Sequence, residues 1–215
     1  MSTVGAIVLA AGDGQRFGAP KALVEVDGSS LLERTVRTAR GAGCSPVVVV
    51  VGAAAQAAAP LARRAGAEPV ENPDWEAGMG SSLRAGFDAL SGRCSAAVVL
   101  LVDQPDIVPE VLQRLIRRWH DETSAAVVAT FAGSQRPPTL LDADVWGELS
   151  ATVVGDRGAQ AWLRANPERV SAVECGDIAS PNDIDTPEDL AEKESLWSSS
   201  MRSPSPSGST PPGKS

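Results

Sequence analysis

Val4-Gly5-Ala6-Ile7-Val8-Leu9-Ala10-Ala11-Gly12-Asp13-Gly14-Gln15-Arg16-Phe17-Gly18-Ala19-Pro20-Lys21 is the stretch on which the fold turns. From Val4 to Leu9 it is apolar except for Gly5, the pattern of a strand covered on both faces, and it empties into a loop with three glycines and two cations. Glycines let a backbone come close to a ligand and aim several N–H groups at it, while Arg16 and Lys21 add formal positive charge at the same place. That combination suits a polyphosphate.

Apolar runs of the same kind recur at 47–51 and 96–102. Between them lie segments of helical period at 30–42 (Leu31, Leu32, Thr35, Val36 and Ala39 on one face), 53–65 and 81–90. Buried strands alternating with helices predict a parallel sheet. Another helix is expected at 109–119, with Pro109 in its first turn, and then a strand at 125–130. From Phe131 to Leu141 the chain reads as a turn through Gly133-Ser134 and a returning strand. Helices at 143–149 and 158–165, a strand at 170–174 and a last helix at 187–196 complete the pattern. The expected class is α/β: a Rossmann-like three-layer sandwich whose mostly parallel central sheet gains an antiparallel addition in the C-terminal half. Residues 1–197 are expected to form one domain, and the Ser/Pro/Gly-rich stretch 198–215 a disordered tail.

With 215 residues, 43% of them hydrophobic, the chain can bury a full core. Its net charge of -8 opposes broad nucleic-acid binding, which needs clustered Lys and Arg. Cys44, Cys94 and Cys175 are scattered without a CxxC pair, so neither a disulfide framework nor a thiolate zinc site is supported. The apolar start is too short and lacks the basic flank of a secretory signal, and no apolar run approaches the roughly 20 residues that span a bilayer. A cytoplasmic protein without a membrane partner is expected. The single histidine, His120, lies among charges and reads as a solvated helix end.

Two glycine-loop chemistries fit the first motif poorly. A dinucleotide fold wants an acid at the end of the second strand, but here that strand ends Val50-Val51-Gly52-Ala53. A Walker loop ends Gly-Lys-Ser/Thr, whereas Lys21 lies between Pro20 and Ala22. An acid does follow the strand at 96–102: Asp103, at the sheet edge where open parallel sheets bind ligands. Magnesium needs only one or two such carboxylates plus substrate phosphates, and Asp103 is well placed for it. Asp106 reads as the cap of the helix that begins at Pro109.

Leu9-Ala10-Ala11-Gly12-x-Gly14-x-Arg16-Phe17-Gly18-x-x-Lys21 closely resembles the signature of nucleotidyltransferases with a MobA-like fold. These include the molybdenum cofactor cytidylyl- and guanylyltransferases and, more distantly, sugar-nucleotide pyrophosphorylases. The resemblance implies that Leu9, Ala10, Ala11, Gly12, Gly14 and Gly18 wrap a triphosphate, and that Arg16 and Lys21 neutralise it as catalytic residues. Val102-Asp103-Gln104-Pro105 looks like the family's metal motif, and Asp183-Ile184-Asp185-Thr186-Pro187-Glu188-Asp189 like its closing motif. Asp103 and Asp185 are thereby implied as ligands of Mg2+; Thr186, ahead of Pro187, reads from its own chemistry as the cap of the last helix. Asn72-Pro73-Asp74-Trp75-Glu76-Ala77-Gly78-Met79-Gly80-Ser81-Ser82 resembles the segment near the base in the cytidylyltransferase branch, which implies nucleotide-binding roles for Gly80, Ser81 and Ser82.

On the acceptor side the chain departs from that branch. Gln135-Arg136-Pro137-Pro138 stands where Gly-His-Pro is usual, and Gln160 follows Gly155-Asp156-Arg157-Gly158-Ala159 where Arg is common. The implied reaction joins a nucleoside triphosphate, CTP or GTP, to a small phosphorylated acceptor, with molybdopterin the leading candidate and Ala11 favouring CTP. A cofactor-handling protein or molybdoenzyme would then be a transient partner. A sugar- or polyol-phosphate nucleotidyltransferase, a noncatalytic nucleotide-binding or delivery module, and an oxidoreductase are the rival readings.

Overall fold

A computed structural model describes residues 3–200 except 123, 154, 156 and 157, with side chains to residue 197. Nine strands run as β1 (Val4–Ala10), β2 (Glu25–Val26), β3 (Ser29–Ser30), β4 (Val47–Val51), β5 (Glu68–Glu71), β6 (Ala96–Leu101), β7 (Ala126–Phe131), β8 (Ser134–Asp142) and β9 (Val170–Glu174) among the described residues. The helices are α1 (Leu31–Gly41), α2 (Ala55–Arg64), α3 (Met79–Leu90), α4 (Pro109–Asp121), α5 (Trp146–Thr152), α6 (Gln160–Ala165) and α7 (Pro187–Ser200). Seven strands form one sheet in the order β5-β4-β1-β6-β8-β7-β9. Only β8 is antiparallel to its neighbours, β6 and β7, so the expected α/β sandwich with a returning strand is what forms.

Two-residue periodicity divides each central strand between two cores. In β1, Val4, Ala6, Val8 and Ala10 face one core together with Leu32, Val36 and Ala39 of α1, Ala58 and Ala62 of α2, and Val111, Leu112 and Leu115 of α4. Ile7 and Leu9 face the other, beneath Leu83, Phe87 and Leu90 of α3, Trp146 of α5 and Trp162 of α6. Every residue of β1 and of β4 is buried, which is why both read as unbroken apolar runs.

Three features lay outside the sequence reading. The edge strand β5 (Glu-Pro-Val-Glu) has no apolar run to announce it, since an edge strand tolerates proline and charge. β2 and β3 form a small hairpin around Asp27-Gly28, whose φ values of 50° and 73° are those of a type I′ turn. In β8 the register against β7 jumps, with Thr139 opposite Val128 but Arg136 opposite Ala129, leaving Pro137 and Pro138 unmatched. Both prolines lack an N–H to give the ladder, so the bulge falls where the sequence cannot pair.

Some local expectations are corrected. Asp106 does not cap α4: Val108 occupies that position without a side-chain bond, and Asp106 pairs instead with Lys193 of α7. α3 starts at Met79, two residues before the expected 81, with Gly78 ahead of it. The last helix continues to Ser200, and the rest of the expected tail, like Asp156 and Arg157, lies outside the described residues. His120 is exposed at the end of α4, tilted against Trp119. No helix among the described residues is long and apolar enough to cross a membrane.

The packing between β1 and α3 is tight enough to test. A Cβ on Gly86 would stand 2.6 Å from Cγ2 of Ile7, a fully buried β-branched side chain that has nowhere to go. Gly86→Val is expected to cost about 2 kcal/mol, read as a lower urea midpoint at unchanged slope. Burial likewise pushes the Cys44 thiol up to about 12, so Cys44 is expected to resist thiol reagents at neutral pH until the protein is unfolded.

Candidate active site

The chain crosses from β1 leftward to β4 and β5, then returns to place β6 on the other side of β1. The connections after β1 and β6 therefore diverge at the carboxyl ends of adjacent strands, which opens a crevice between them. The loop after β1 folds back tightly, with the N–H groups of Phe17 and Gly18 both donating to the Gly14 carbonyl at 2.9 and 2.8 Å. Gly14 itself has φ +68°, and a Cβ there would lie 1.9 Å from the Ala19 carbonyl oxygen, so only glycine fits. Gly12 lines the crevice, and a Cβ on it would meet no protein atom within 4 Å, so a side chain there would occupy space a ligand needs.

Lys21, at the start of a 3-10 turn that ends this loop, reaches across the crevice. Its Nζ donates to Asp103 Oδ2 at 2.9 Å and to Asp185 Oδ1 at 2.6 Å, and Arg16 donates to Asp185 Oδ2 at 2.8 Å. The Lys21 side chain is 14% exposed and that of Arg16 75%, so one cation is fixed and the other reaches into solvent. Burial works against the Lys21 ammonium, but the bonds to Asp185 and Asp103 outweigh it and raise its pKa. Asp185 is presented by an extended segment that docks through the Ile184 N–H on the Asp103 carbonyl at 2.8 Å, with Ile184 fully buried. Two residues earlier, on the same side of the extended segment, Asp183 accepts from Gln104 Nε2 at 2.8 Å. Burial raises the Asp183 pKa, Gln104 opposes this, Asp103 and Asp185 add to it, and Arg136 opposes it.

Thr186 and Asp189 close the segment. Asp189 accepts from the N–H groups of Asp185 and Thr186 at 2.9 and 2.8 Å, and its own N–H donates to Thr186 Oγ1 at 3.2 Å, a reciprocal cap on α7. Phe17, next to Arg16, packs with Leu190 and Trp197 of this helix against Val26, Leu31 and Ile184. The loop, the hairpin and the last helix thus hold one another.

The other wall of the crevice comes from the segment before α3. Asn72 Nδ2 donates to Ser81 Oγ and Ser82 Oγ at 2.8 and 3.0 Å, Asn72 Oδ1 accepts from the Asp74 N–H, and Ser81 Oγ lies 2.8 Å from the carbonyls of Asp74 and Gly78. Ser81 is engaged in shaping its own loop. Ser82 lines the crevice, together with Trp75, Glu76, Gly78 and Met79, which sequence reading did not single out. The positive φ that Gly78 adopts, 96°, is the local signal that a backbone reversal belongs there.

The crevice encloses about 890 Å³ and is lined by Leu9, Ala10, Ala11, Gly12, Gly14, Arg16, Lys21, Ser82 and Asp103 of the expected residues. Asp185 meets it through Lys21 and Arg16. Gly18 turns the loop, and Gly80 and Ser81 lie buried behind the wall. Beside it a second hollow of about 270 Å³ shares Leu9, Met79 and Leu101 with the first and reaches Arg136, Gln160, Arg164 and Asp183.

The donor set fits a hard divalent cation. Asp103 Oδ1 is buried without a hydrogen-bond partner, an oxygen held ready for a ligand. No group of three or more His, Cys, Asp or Glu is arranged for a metal among the described residues. Magnesium asks for less, one or two carboxylates with water and phosphate completing its shell. Charge argues the same way, since the two cations here already face two carboxylates and a triphosphate brings several further negative charges.

Residues 6–170 match the MobA-like NTP transferase domain. The chain belongs to the MobA-like NTP transferase family. It is a nucleotidyltransferase, and its family binds nucleoside triphosphates and phosphorylated acceptors. The transferase is 37% identical over 193 residues to the nicotine blue oxidoreductase of Paenarthrobacter nicotinovorans, covering 86% of this chain and 93% of that protein. It is 43% identical over 128 residues to a bifunctional IPC transferase and DIPP synthase of Rubrobacter xylanophilus, covering 57% of this chain and 28% of that longer protein. Among solved structures, Rv0371c of Mycobacterium tuberculosis H37Rv superposes with a TM-score of 0.73 at 28% identity, over 89% of this chain and 96% of that one. The same mycobacterial protein has been solved as a complex with manganese, so a divalent metal is known in a related structure.

Gly14→Ala is expected to leave the sheet and helices intact, because the clash falls in an exposed loop, yet to weaken triphosphate binding by roughly tenfold or more. Calorimetric titration with CTP and magnesium, alongside a melting curve, checks both halves.

Proposed function

We propose that the protein transfers a nucleoside monophosphate from a nucleoside triphosphate to a phosphorylated acceptor and releases pyrophosphate, in a magnesium-dependent reaction. The observation that carries this reading is the Lys21 ammonium, bonded at once to Asp103 and Asp185 beside the glycine loop. In such a reaction an acceptor phosphate oxygen bonds to the α-phosphorus, the bond from that phosphorus to the bridging oxygen breaks, and its electron pair leaves with pyrophosphate. The attacking oxygen is already deprotonated near neutral pH, so no protein base is required, in keeping with a crevice whose described lining includes neither His nor Cys. Amides of the Ala11–Gly18 loop orient the triphosphate, and Arg16 and Lys21 bind the charge that grows on the leaving group. Asp103 and Asp185 would hold magnesium, which supplies further neutralisation of the phosphate oxygens.

CTP is the favoured donor, on Ala11, which lines the crevice. Molybdopterin is the favoured acceptor and a molybdoenzyme or cofactor-handling protein the favoured recipient, both on the resemblance of the loop and closing motifs; a cytoplasmic setting accords with this. A sugar- or polyol-phosphate acceptor is the rival within the class. Lys21→Ala and Asp103→Asn are each expected to lower pyrophosphate release from CTP by about 100-fold or more, with an unchanged circular dichroism spectrum. Near-normal turnover in either variant removes that residue from the mechanism. Tight CTP binding without release, over a panel of phosphorylated acceptors, would favour a delivery module.

A redox reading has one observation in its favour, the 37% identity with a protein named as an oxidoreductase. Against it, β4 ends Val50-Val51 with no acid for a dinucleotide ribose. Saturable oxidation of NADH or NADPH with nicotine blue as acceptor, in the absence of nucleotidyl transfer, would make that reading the better one.

A further inference from the structure

The wall of the crevice that lies before α3 carries no cation among the described residues. Arg16 and Lys21 belong to the glycine-loop side, whereas Trp75, Glu76, Gly78, Met79 and Ser82 make up this wall. A triphosphate is drawn to the cations and repelled by the Glu76 carboxylate, so the uncharged base is the part that this wall meets. Which base it accepts depends on the polar groups the wall can offer.

Those groups are set by one buried side chain, Asn72, which follows β5 and is 4% exposed. The Asp74 N–H can only donate, and at 3.0 Å it fixes Asn72 Oδ1 on its own side of the amide. Nδ2 therefore faces the serines, and both its hydrogens are used, one on Ser81 Oγ at 2.8 Å and one on Ser82 Oγ at 3.0 Å. Ser81 passes its own proton on to a carbonyl, that of Asp74 or of Gly78. Ser82 receives a hydrogen bond in the same way, but its proton finds no acceptor among the described residues, and the side chain lines the crevice. Its hydroxyl is thus a donor held toward the nucleotide.

We infer that Asn72 is a positioning residue for the nucleotide, committing the Ser82 hydroxyl to donate, and that Ser82 thereby selects a base whose ring nitrogen accepts, as cytosine N3 does. A base whose ring nitrogen carries hydrogen, as uracil N3 does, is disfavoured. The inference rests on the proposed nucleotidyl transfer for the presence of a nucleotide and adds which pyrimidine it carries. A uracil N–H can reach the remaining lone pair of Ser82 only with the Ser82 proton turned to where nothing accepts it, an unmade hydrogen bond at a buried place. Cytosine leaves none unmade.

The test is calorimetric titration of the full chain, with magnesium, against non-hydrolysable analogues of CTP and UTP. The native protein is expected to bind the CTP analogue roughly tenfold tighter than the UTP analogue. In Asn72→Asp the new carboxylate takes the Ser82 proton and leaves only lone pairs toward the base, so the preference is expected to vanish or to turn to UTP. Added charge repels both triphosphates alike, and a loosened loop weakens both alike, so the ratio of the two affinities isolates the hydroxyl. Ser82→Ala is expected to bring that ratio near one. Where Asn72→Asp melts too low to titrate, Asn72→Ala withdraws the donation without adding charge and is expected to lower the ratio by roughly half or more. An unchanged ratio in Ser82→Ala or in a folded Asn72 variant overturns the inference, and so does a native protein that shows no preference for the CTP analogue. Failure of every triphosphate to bind the native protein counts instead against the proposed function, and takes this inference with it.

Discussion

One ammonium group organises this molecule. Lys21 Nζ joins two carboxylates that lie 82 and 164 residues away in the chain, and through Asp185 it also engages Arg16. Removing one partner from a half-buried cluster of this kind leaves uncompensated charge on the others, so the three segments are energetically a unit. Neutral as it stands, the cluster can hold a highly charged ligand only by recruiting more positive charge. Asp103 Oδ1, buried and unbonded, is the atom that makes such recruitment feasible.

The sheet makes this meeting possible. Because β1 is flanked by β4 on one side and β6 on the other, its exit loop and that of β6 part company over the same edge. The closing segment then lies across the gap, pinned by the Ile184 bond to the Asp103 carbonyl and by the cap on α7. The helix itself is tied down by Lys193 on Asp106 and by the Arg34 guanidinium stacked 5.0 Å over Trp197. The first of these ties ends on Asp103, which lines the crevice; the others lie away from it and hold the segment that presents Asp185.

Elements whose residues are buried on both faces were legible in the sequence, because burial writes itself as an unbroken apolar run: β1, β4 and β6 could be read to within a residue. Helices α1 and α4 were legible through their apolar stripes. What escaped was governed by position. β5 is an edge strand and needs no apolar code, and the β2–β3 hairpin has too few residues to show a period. Asp106 looked like a cap because a helix follows it, but tertiary pairing with Lys193 took precedence. In the site, the cations and acids stood out as charges beside strand ends. Trp75, Glu76 and Met79 did not, because only the backbone reversal at Gly78 turns that wall toward the crevice. Gly80 and Ser81 carried a family motif, while the hydroxyl of Ser81 serves the loop's own hydrogen bonds.

The reliance of Lys21 on Asp185 has a consequence for how the protein is made. On the ribosome the glycine loop emerges early, and the ammonium beside it waits for its second carboxylate until nearly the whole folded portion has been synthesised. A nascent chain can therefore assemble β1, α1 and β4 while the Lys21 cluster is still incomplete. Closure of the cluster awaits Asp185, so a product terminated before that residue leaves Lys21 with Asp103 as its remaining carboxylate.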